Sequence, residues 1–295
     1  MLTDFTIELL QKCRQNCMFC SSLSHPEATH QLPLSIVKDL VDFGKSEGIA
    51  SINLSGGEPM LYPDITEVIE YCVGKDIRCD LYTSGNADAT VWKALFARKF
   101  TNLKIVVDYP CVEEEIFIRL TGNNGFTPWD LDMTIAAMID NKIPVEANIV
   151  PNAINLSYLY STTSWLRGWG VQTVRFLRLV PQGRAAFNRE ALEVDREIVM
   201  EELGKCATLA TSKFDVRIGH PLQHRSDCSH CNAGSTKLVV RYDGVVFPCE
   251  AFKEAPHNER FIFGSVYDHP ISELRNNPIV KNNLDELRAH TKKIR

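Results

Sequence analysis

Three cysteines within eight residues, Cys13-Arg-Gln-Asn-Cys17-Met-Phe-Cys20, most constrain what this chain can fold into. The C-x3-C-x2-C spacing brings three thiolates within reach of one metal centre and leaves that centre a ligand short. A structural zinc site is normally closed by four ligands, whereas a site that does chemistry keeps a position open. An iron–sulfur cube normally takes four cysteines, so three leave one iron free. A zinc site completed by His25 or His30 is the alternative, although this spacing is not usual for zinc.

Composition decides how the other cysteines are read. The chain has 295 residues and ten cysteines, with no charged n-region followed by an apolar segment at its start. Without a secretory signal the expectation is a cytoplasmic chain, where thiols stay reduced and serve metals or catalysis rather than disulfides. Cys228, Cys231 and Cys249 form a second group, while Cys72 and Cys79 sit in apolar-periodic segments and read as small core residues. The net charge of −5 gives no basic excess for nucleic acid, and no apolar run approaches the roughly 20 residues that span a bilayer.

In order, the pattern alternates strand and helix. Strands are expected at 5–9, 49–54, 77–82, 103–107, 145–150 and 171–180. Helices are expected at 35–44, from 64 with an Asp64/Glu67 capping box, at 88–98, from 127 with Pro128 at its first position, at 156–167 and at 195–211. Six strand–helix units imply a parallel α/β sheet, two units short of a closed eightfold barrel, hence an open partial (β/α)6 barrel. Such sheets place chemistry beyond the carboxyl ends of their strands. The cysteine triplet, Gly56-Gly57-Glu58-Pro59, Thr83-Ser84-Gly85-Asn86, Asp108 and Pro181-Gln182-Gly183-Arg184 each follow a strand, so they converge on one rim. Near Phe214 the character changes. Asp243-Gly244 between two β-rich runs reads as a hairpin turn, and the expectation is a barrel over 1–213 followed by a hairpin-and-helix module over 214–295 that its own metal site staples.

Cys13-x3-Cys17-x-Phe19-Cys20 at the end of strand one, with Gly56-Gly57-Glu58-Pro59 at the end of strand two, resembles the radical S-adenosylmethionine (radical SAM) superfamily over about residues 5–185. The resemblance implies that Cys13, Cys17 and Cys20 hold a [4Fe–4S] cluster whose free iron is chelated by SAM. One electron then cleaves SAM, and the resulting 5′-deoxyadenosyl radical abstracts a substrate hydrogen atom. It implies SAM contacts for Phe19, Gly56, Gly57, Glu58 and Ser84, and for Asn148 and Arg178 on strands five and six. Cys228-x2-Cys231-x17-Cys249 resembles the superfamily's auxiliary-cluster module, called twitch or SPASM, which implies a second [4Fe–4S] cluster. Its fourth ligand is left open between substrate, Cys206, a histidine and a carboxylate. Zinc with His224 or His230 is the alternative there.

Softer candidates are Asp108 as a base or substrate contact, with a turn-capping role equally in view, and Cys111 as a hydrogen-atom donor, with a plain loop cysteine as its alternative. His220 reads as surface loop, and Trp165 with Trp169 as core packing. Many enzymes with such a tail modify ribosomal peptides by crosslinking, epimerisation or oxidation, and the 178–184 and 248–253 runs resemble that group. The chain starts almost at its first strand, so no separate peptide-recognition domain is expected before the barrel. The resemblance therefore leaves a small-molecule cyclase, dehydrogenase or decarboxylase, similar to the molybdenum-cofactor cyclase, as the second reading. A non-catalytic zinc protein on the same barrel is the third. A flavodoxin or ferredoxin is the expected electron donor.

Overall fold

Alternation within each strand sets the architecture. Phe5 and Ile7, Ile52 and Leu54, Cys79 and Leu81, Ile105 and Val107, and Val145, Ala147 and Ile149 are all buried on one face of the sheet, packed under helices. Their neighbours Thr6, Asn53, Asp80, Lys104 and Glu146 point the other way and find one another instead. A sheet with this pattern covers its apolar face with helices and turns its polar face inward around a lumen.

The structure, a computed structural model, describes residues 2–219, 222, 231–254 and 258–293. Strands β1 (Asp4–Glu8), β2 (Ser51–Ser55), β3 (Arg78–Thr83), β4 (Leu103–Asp108), β5 (Val145–Ile149), β6 (Thr173–Phe176) and β7 (Asp215–Ile218) lie side by side and parallel. Between them run α1 (Leu34–Ser46), α2 (Ile65–Gly74), α3 (Ala89–Ala97), α4 (Glu114–Thr121), α5 (Pro128–Asp140), α6 (Leu159–Gly168), the short α7 (Arg184–Phe187) and α8 (Arg189–Leu192), and α9 (Arg196–Ala207). On the other side of β1 the sheet continues through β8 (Lys237–Val240), β9 (Val245–Phe247) and β10 (Gly264–Ser265), followed by α10 (Ile271–Leu274) and α11 (Pro278–Lys293). Among the described residues no helix is long and apolar enough to cross a membrane.

The expected open partial barrel is present, with additions. β7 is a seventh parallel strand paired to β6, and β8 pairs in parallel with β1, so the sheet runs through the expected boundary at 213/214. The hairpin turn at Asp243-Gly244 forms, with Gly244 at φ 82°. The sheet also curls. Gln182, past β6, donates its Nε2–H to the carbonyl of Glu250, past β9, at 2.6 Å. Seven strand steps separate β6 from β9, about 34 Å in a flat sheet, so only a barrel-like curl lets them touch.

Three local expectations change. Asp64 precedes α2 but makes no side-chain cap bond; Glu67 instead pairs with Lys38 at 2.6 Å. The capping box forms at Thr127 and Asp130, ahead of α5. The sixth strand ends at Phe176, so Arg178 lies beyond it and is exposed rather than on the strand.

Candidate active site at the barrel mouth

The cysteine loop leaves β1 and is held by backbone on every side. The amides of Asn16 and Met18 donate to the carbonyls of Thr121 and Leu120, each at 2.8 Å. Carbonyls in the last turn of a helix have no partner within it, and here the loop satisfies two of those of α4. Arg184 donates to the carbonyls of Cys17 (2.8 Å) and Ser24 (2.7 Å), and Asn188 to that of Met18 (3.2 Å). Gly183, at φ 57°, lies so close that a Cβ there would come within 2.9 Å of the Cys20 carbonyl oxygen. Beneath the loop Phe19 and Met18 pack against Leu120, Ala185 and Leu192.

The Gly-Gly-Glu loop grips the same segment. The amide of Gly57 donates to the carbonyl of Leu10 (2.6 Å) and that of Glu58 to the carbonyl of Lys12 (2.8 Å). A Cβ on Gly57 would sit 2.1 Å from the Lys12 carbonyl oxygen, and one on Gly56 2.4 Å from that of Leu10. The two glycines are thus required first by the backbone leading into the cysteines. Glu58 is fully buried and accepts from the Met60 amide, Thr83 Oγ1, and both the amide and hydroxyl of Ser84. That ties the loops after β2 and β3 together. Burial pushes the Glu58 carboxyl up, and these donors pull it partly back.

The three thiols sense one another. Burial raises Cys13 to about 12 and Cys17 well above its ordinary value; Cys13, Cys20 and Asp108 push Cys17 further. The Gln15 amide donates to Cys13 Sγ at 3.4 Å and the Ser22 amide to Cys20 Sγ at 3.5 Å. His25 Nδ1 pairs with Glu27 and His30 Nδ1 with Gln11 on the outside of the loop. Among the described residues no trio of His, Cys, Asp and Glu is placed to hold a single metal ion. Three adjacent thiols, two with backbone N–H donors at sulfur, fit a [4Fe–4S] cluster, whose irons offset thiolate charge that burial disfavours.

Asp108 ends β4 facing the mouth, exposed to water yet ringed by protein. Burial, then the Glu58 charge, raises it to about 7, and a hydrogen bond from Asn148 pulls it down. Asn148 is buried next to it on β5. Cys111, in contrast, is fully buried near Thr162 of α6, away from the mouth. Cys206 is also buried, on α9, where Thr163 hydrogen bonds to it. Trp165 and Trp169 pack edge to face at 6.3 Å, but Trp165 is 42% exposed and its indole N–H donates to buried Asp132, so the pair is a surface feature rather than core.

Below the mouth the lumen is lined with ion pairs: Lys104 with Asp80 (3.2 Å) and Glu146 (3.3 Å), and Lys237 with Asp4 and Glu250 (2.8 Å each). Cys249 Sγ lies 3.5 Å from Glu250 Oε2, and burial, then the Glu250 charge, raises its thiol to about 12. Arg288 of α11 clamps the carbonyls of Cys231 and Ala233. Cys228, His220, His224 and His230 lie outside the described residues.

Gly183 and Arg184, expected only as part of a rim loop, and Asn188 beyond that loop are what hold the cysteine segment in place. The glycine before an arginine was the available signal.

A profile of the Radical SAM superfamily matches residues 7–152, and one of an iron–sulfur cluster-binding domain, SPASM, matches 231–294. A probable GTP 3′,8-cyclase of Methanococcus aeolicus is 22% identical over 269 residues, 84% of this chain and 85% of its own length. The antilisterial bacteriocin subtilosin biosynthesis protein AlbA of Bacillus subtilis is 20% identical over 93% of this chain, which spans 60% of AlbA. Among solved structures, Streptococcus suis SuiB bound to precursor peptide SuiA superposes with a TM-score of 0.76 at 15% identity, over 95% of this chain and 66% of SuiB.

Two outcomes follow from this geometry. Gly57→Ala should destabilise the metal-free chain by about 3 kcal/mol or more, because only backbone can yield. Gly74→Ala, whose Cβ would meet nothing within 4 Å on α2, should be neutral or up to about 1 kcal/mol stabilising. Urea denaturation compares them. Asp108 binds its proton more tightly folded than unfolded, so its contribution is complete below its ordinary 3.8 and is lost as pH rises through about 7. Asp108→Asn should therefore stabilise the metal-free chain at pH 8 by about 1 kcal/mol, a value discounted for the solvent at the mouth. That gain should vanish near pH 4; a pH-independent difference contradicts the assignment.

Proposed function

Because the chain belongs to the radical SAM superfamily and carries a SPASM-type cluster-binding domain, we propose that it is a cytoplasmic enzyme that modifies a ribosomally made peptide by radical chemistry. The observation that carries this reading is the arrangement of the two cysteine groups. The Cys13–Cys20 loop leaves the carboxyl end of β1, and Cys249 follows β9 at the opposite end of the neighbouring strands. The turn after Cys249 reaches back across the same lumen, where the Glu250 carbonyl accepts from Gln182 and Lys253 donates to Ser22 beside Cys20.

When bound, a [4Fe–4S] cluster and SAM supply the electron and the adenosyl group for generating the 5′-deoxyadenosyl radical. The residues of the chain do the rest. Cys13, Cys17 and Cys20 hold the cluster in a loop fixed by Arg184, Asn188 and α4. The rim formed by Gly56, Gly57, Glu58 and Ser84, with Phe19, Asn148 and Arg178, receives SAM. Glu58 acts through the placement of Ser84, since its four hydrogen bonds are made within the protein. Asp108 faces the mouth with a carboxyl that exchanges a proton near neutrality, which suits a substrate contact or a base. Cys228, Cys231 and Cys249 hold an auxiliary cluster, and a flavodoxin or ferredoxin supplies electrons.

AlbA is named for bacteriocin biosynthesis and SuiB is bound to a precursor peptide; both align over more than nine-tenths of this chain, tail included. The second reading, a nucleotide cyclase, draws on the GTP 3′,8-cyclase relative, which this chain matches over most of both lengths.

The test is substrate-dependent 5′-deoxyadenosine formation by anaerobically reconstituted protein, with candidate precursor peptides set against GTP. A rise with peptide alone supports the proposal, and a rise with GTP alone replaces it with the cyclase. Cys17→Ala should abolish SAM cleavage, while Cys249→Ala should retain some uncoupled cleavage and lose product.

A further inference from the structure

Among the described residues, the most deeply buried ion pair joins the C-terminal module to the cysteine loop and stands apart from the groups placed at the mouth. Lys253 and Glu8 are each 2% exposed. Lys253 Nζ donates to Glu8 Oε1 and, at 2.8 Å, to Ser22 Oγ; Ser22 Oγ lies 3.4 Å from the same carboxylate. Glu8 Oε2 has no hydrogen-bond partner among the described residues. The carboxylate therefore depends on Lys253 for its compensation, because an unpaired buried charge is costly.

Both ends of this link lie next to cysteines. Ser22 is the residue whose amide donates to Cys20 Sγ at 3.5 Å. Lys253 follows the 3-10 turn Glu250–Phe252 that starts on Cys249. Its own carbonyl is fixed by Arg241 (3.0 Å) and Asn258 (2.9 Å). The ammonium is thus held rigidly from the module side while it sets Ser22 and Glu8 on the barrel side.

We propose that Lys253 is a positioning residue through which the C-terminal module sets the reduction potential of the cluster on Cys13, Cys17 and Cys20. The proposal rests on the assignment of that cluster to the triplet. Two effects act in the same direction. The buried ammonium cancels the Glu8 charge beneath the loop, and Ser22, held by the same ammonium, keeps its N–H on the Cys20 sulfur. Local charge and hydrogen bonds to sulfur are the levers that tune such potentials. Without Lys253 the loop sits over a bare carboxylate, and adding an electron becomes harder.

The test is a redox titration of reconstituted protein followed by electron paramagnetic resonance, using the signal that changes on SAM addition to identify the first cluster. Lys253→Met should keep that cluster but shift its midpoint to a more negative potential. Lys253→Arg should retain the wild-type midpoint, and Glu8→Gln combined with Lys253→Met should return most of the way to it. An unchanged midpoint and line shape in Lys253→Met overturns the proposal. If Lys253→Met fails to fold, Ser22→Ala carries the test, since it keeps the ion pair and removes the bridge. A changed signal then supports the link, and a wild-type signal refutes it. Wild-type protein that binds no SAM-responsive cluster refutes the cluster assignment and this proposal together; a normal cluster with an unmoved midpoint refutes this proposal alone.

Discussion

The contact between Gly57 and the carbonyl of Lys12 is the constraint on which the rest of the site depends. Two loops that leave adjacent parallel strands are pressed together with no side chain between them, and amides of one bond carbonyls of the other. This fixes the path of the chain into Cys13 before any cofactor is present. Glu58 carries the constraint one strand further, because its buried carboxylate needs the donors of Thr83 and Ser84. Gly183 and Arg184 close the loop from the far side of the lumen.

The lumen is polar where a small closed barrel would be apolar. Ion pairs between adjacent strands occupy it, and the apolar faces look outward to the helices. Those charges compensate one another, and Asp108, at the open end above them, is ringed by protein yet reached by water, the setting in which a carboxyl moves toward neutrality.

Much of this was legible in the sequence because the signals were local. Period-two alternation gave five of the parallel strands closely, and the position of each motif after a strand gave the rim. What escaped was non-local. β7 is four residues of mixed character, and only its pairing with β6 makes it a strand. That β8 pairs with β1 is a choice of partner that neither sequence announces, and it merges the hairpin into the barrel. The glycines of the Gly-Gly-Glu loop were assigned to ligand approach, yet their first requirement is contact with residues 10–12. Cys111 follows a rim aspartate in sequence but turns into the core beside Thr162, and Arg178 falls past the end of a strand that stops earlier than its apolar run.

The central claim is that Cys13, Cys17 and Cys20 hold a cluster with one iron open to SAM at the barrel mouth. Mössbauer spectroscopy of protein reconstituted with iron-57, recorded with and without SAM, tests it most directly. The account predicts [4Fe–4S] parameters in which one iron of the first cluster becomes distinct from the other three when SAM is added. Iron sites that do not respond to SAM, or a protein that takes zinc at the triplet and no cluster, would contradict it.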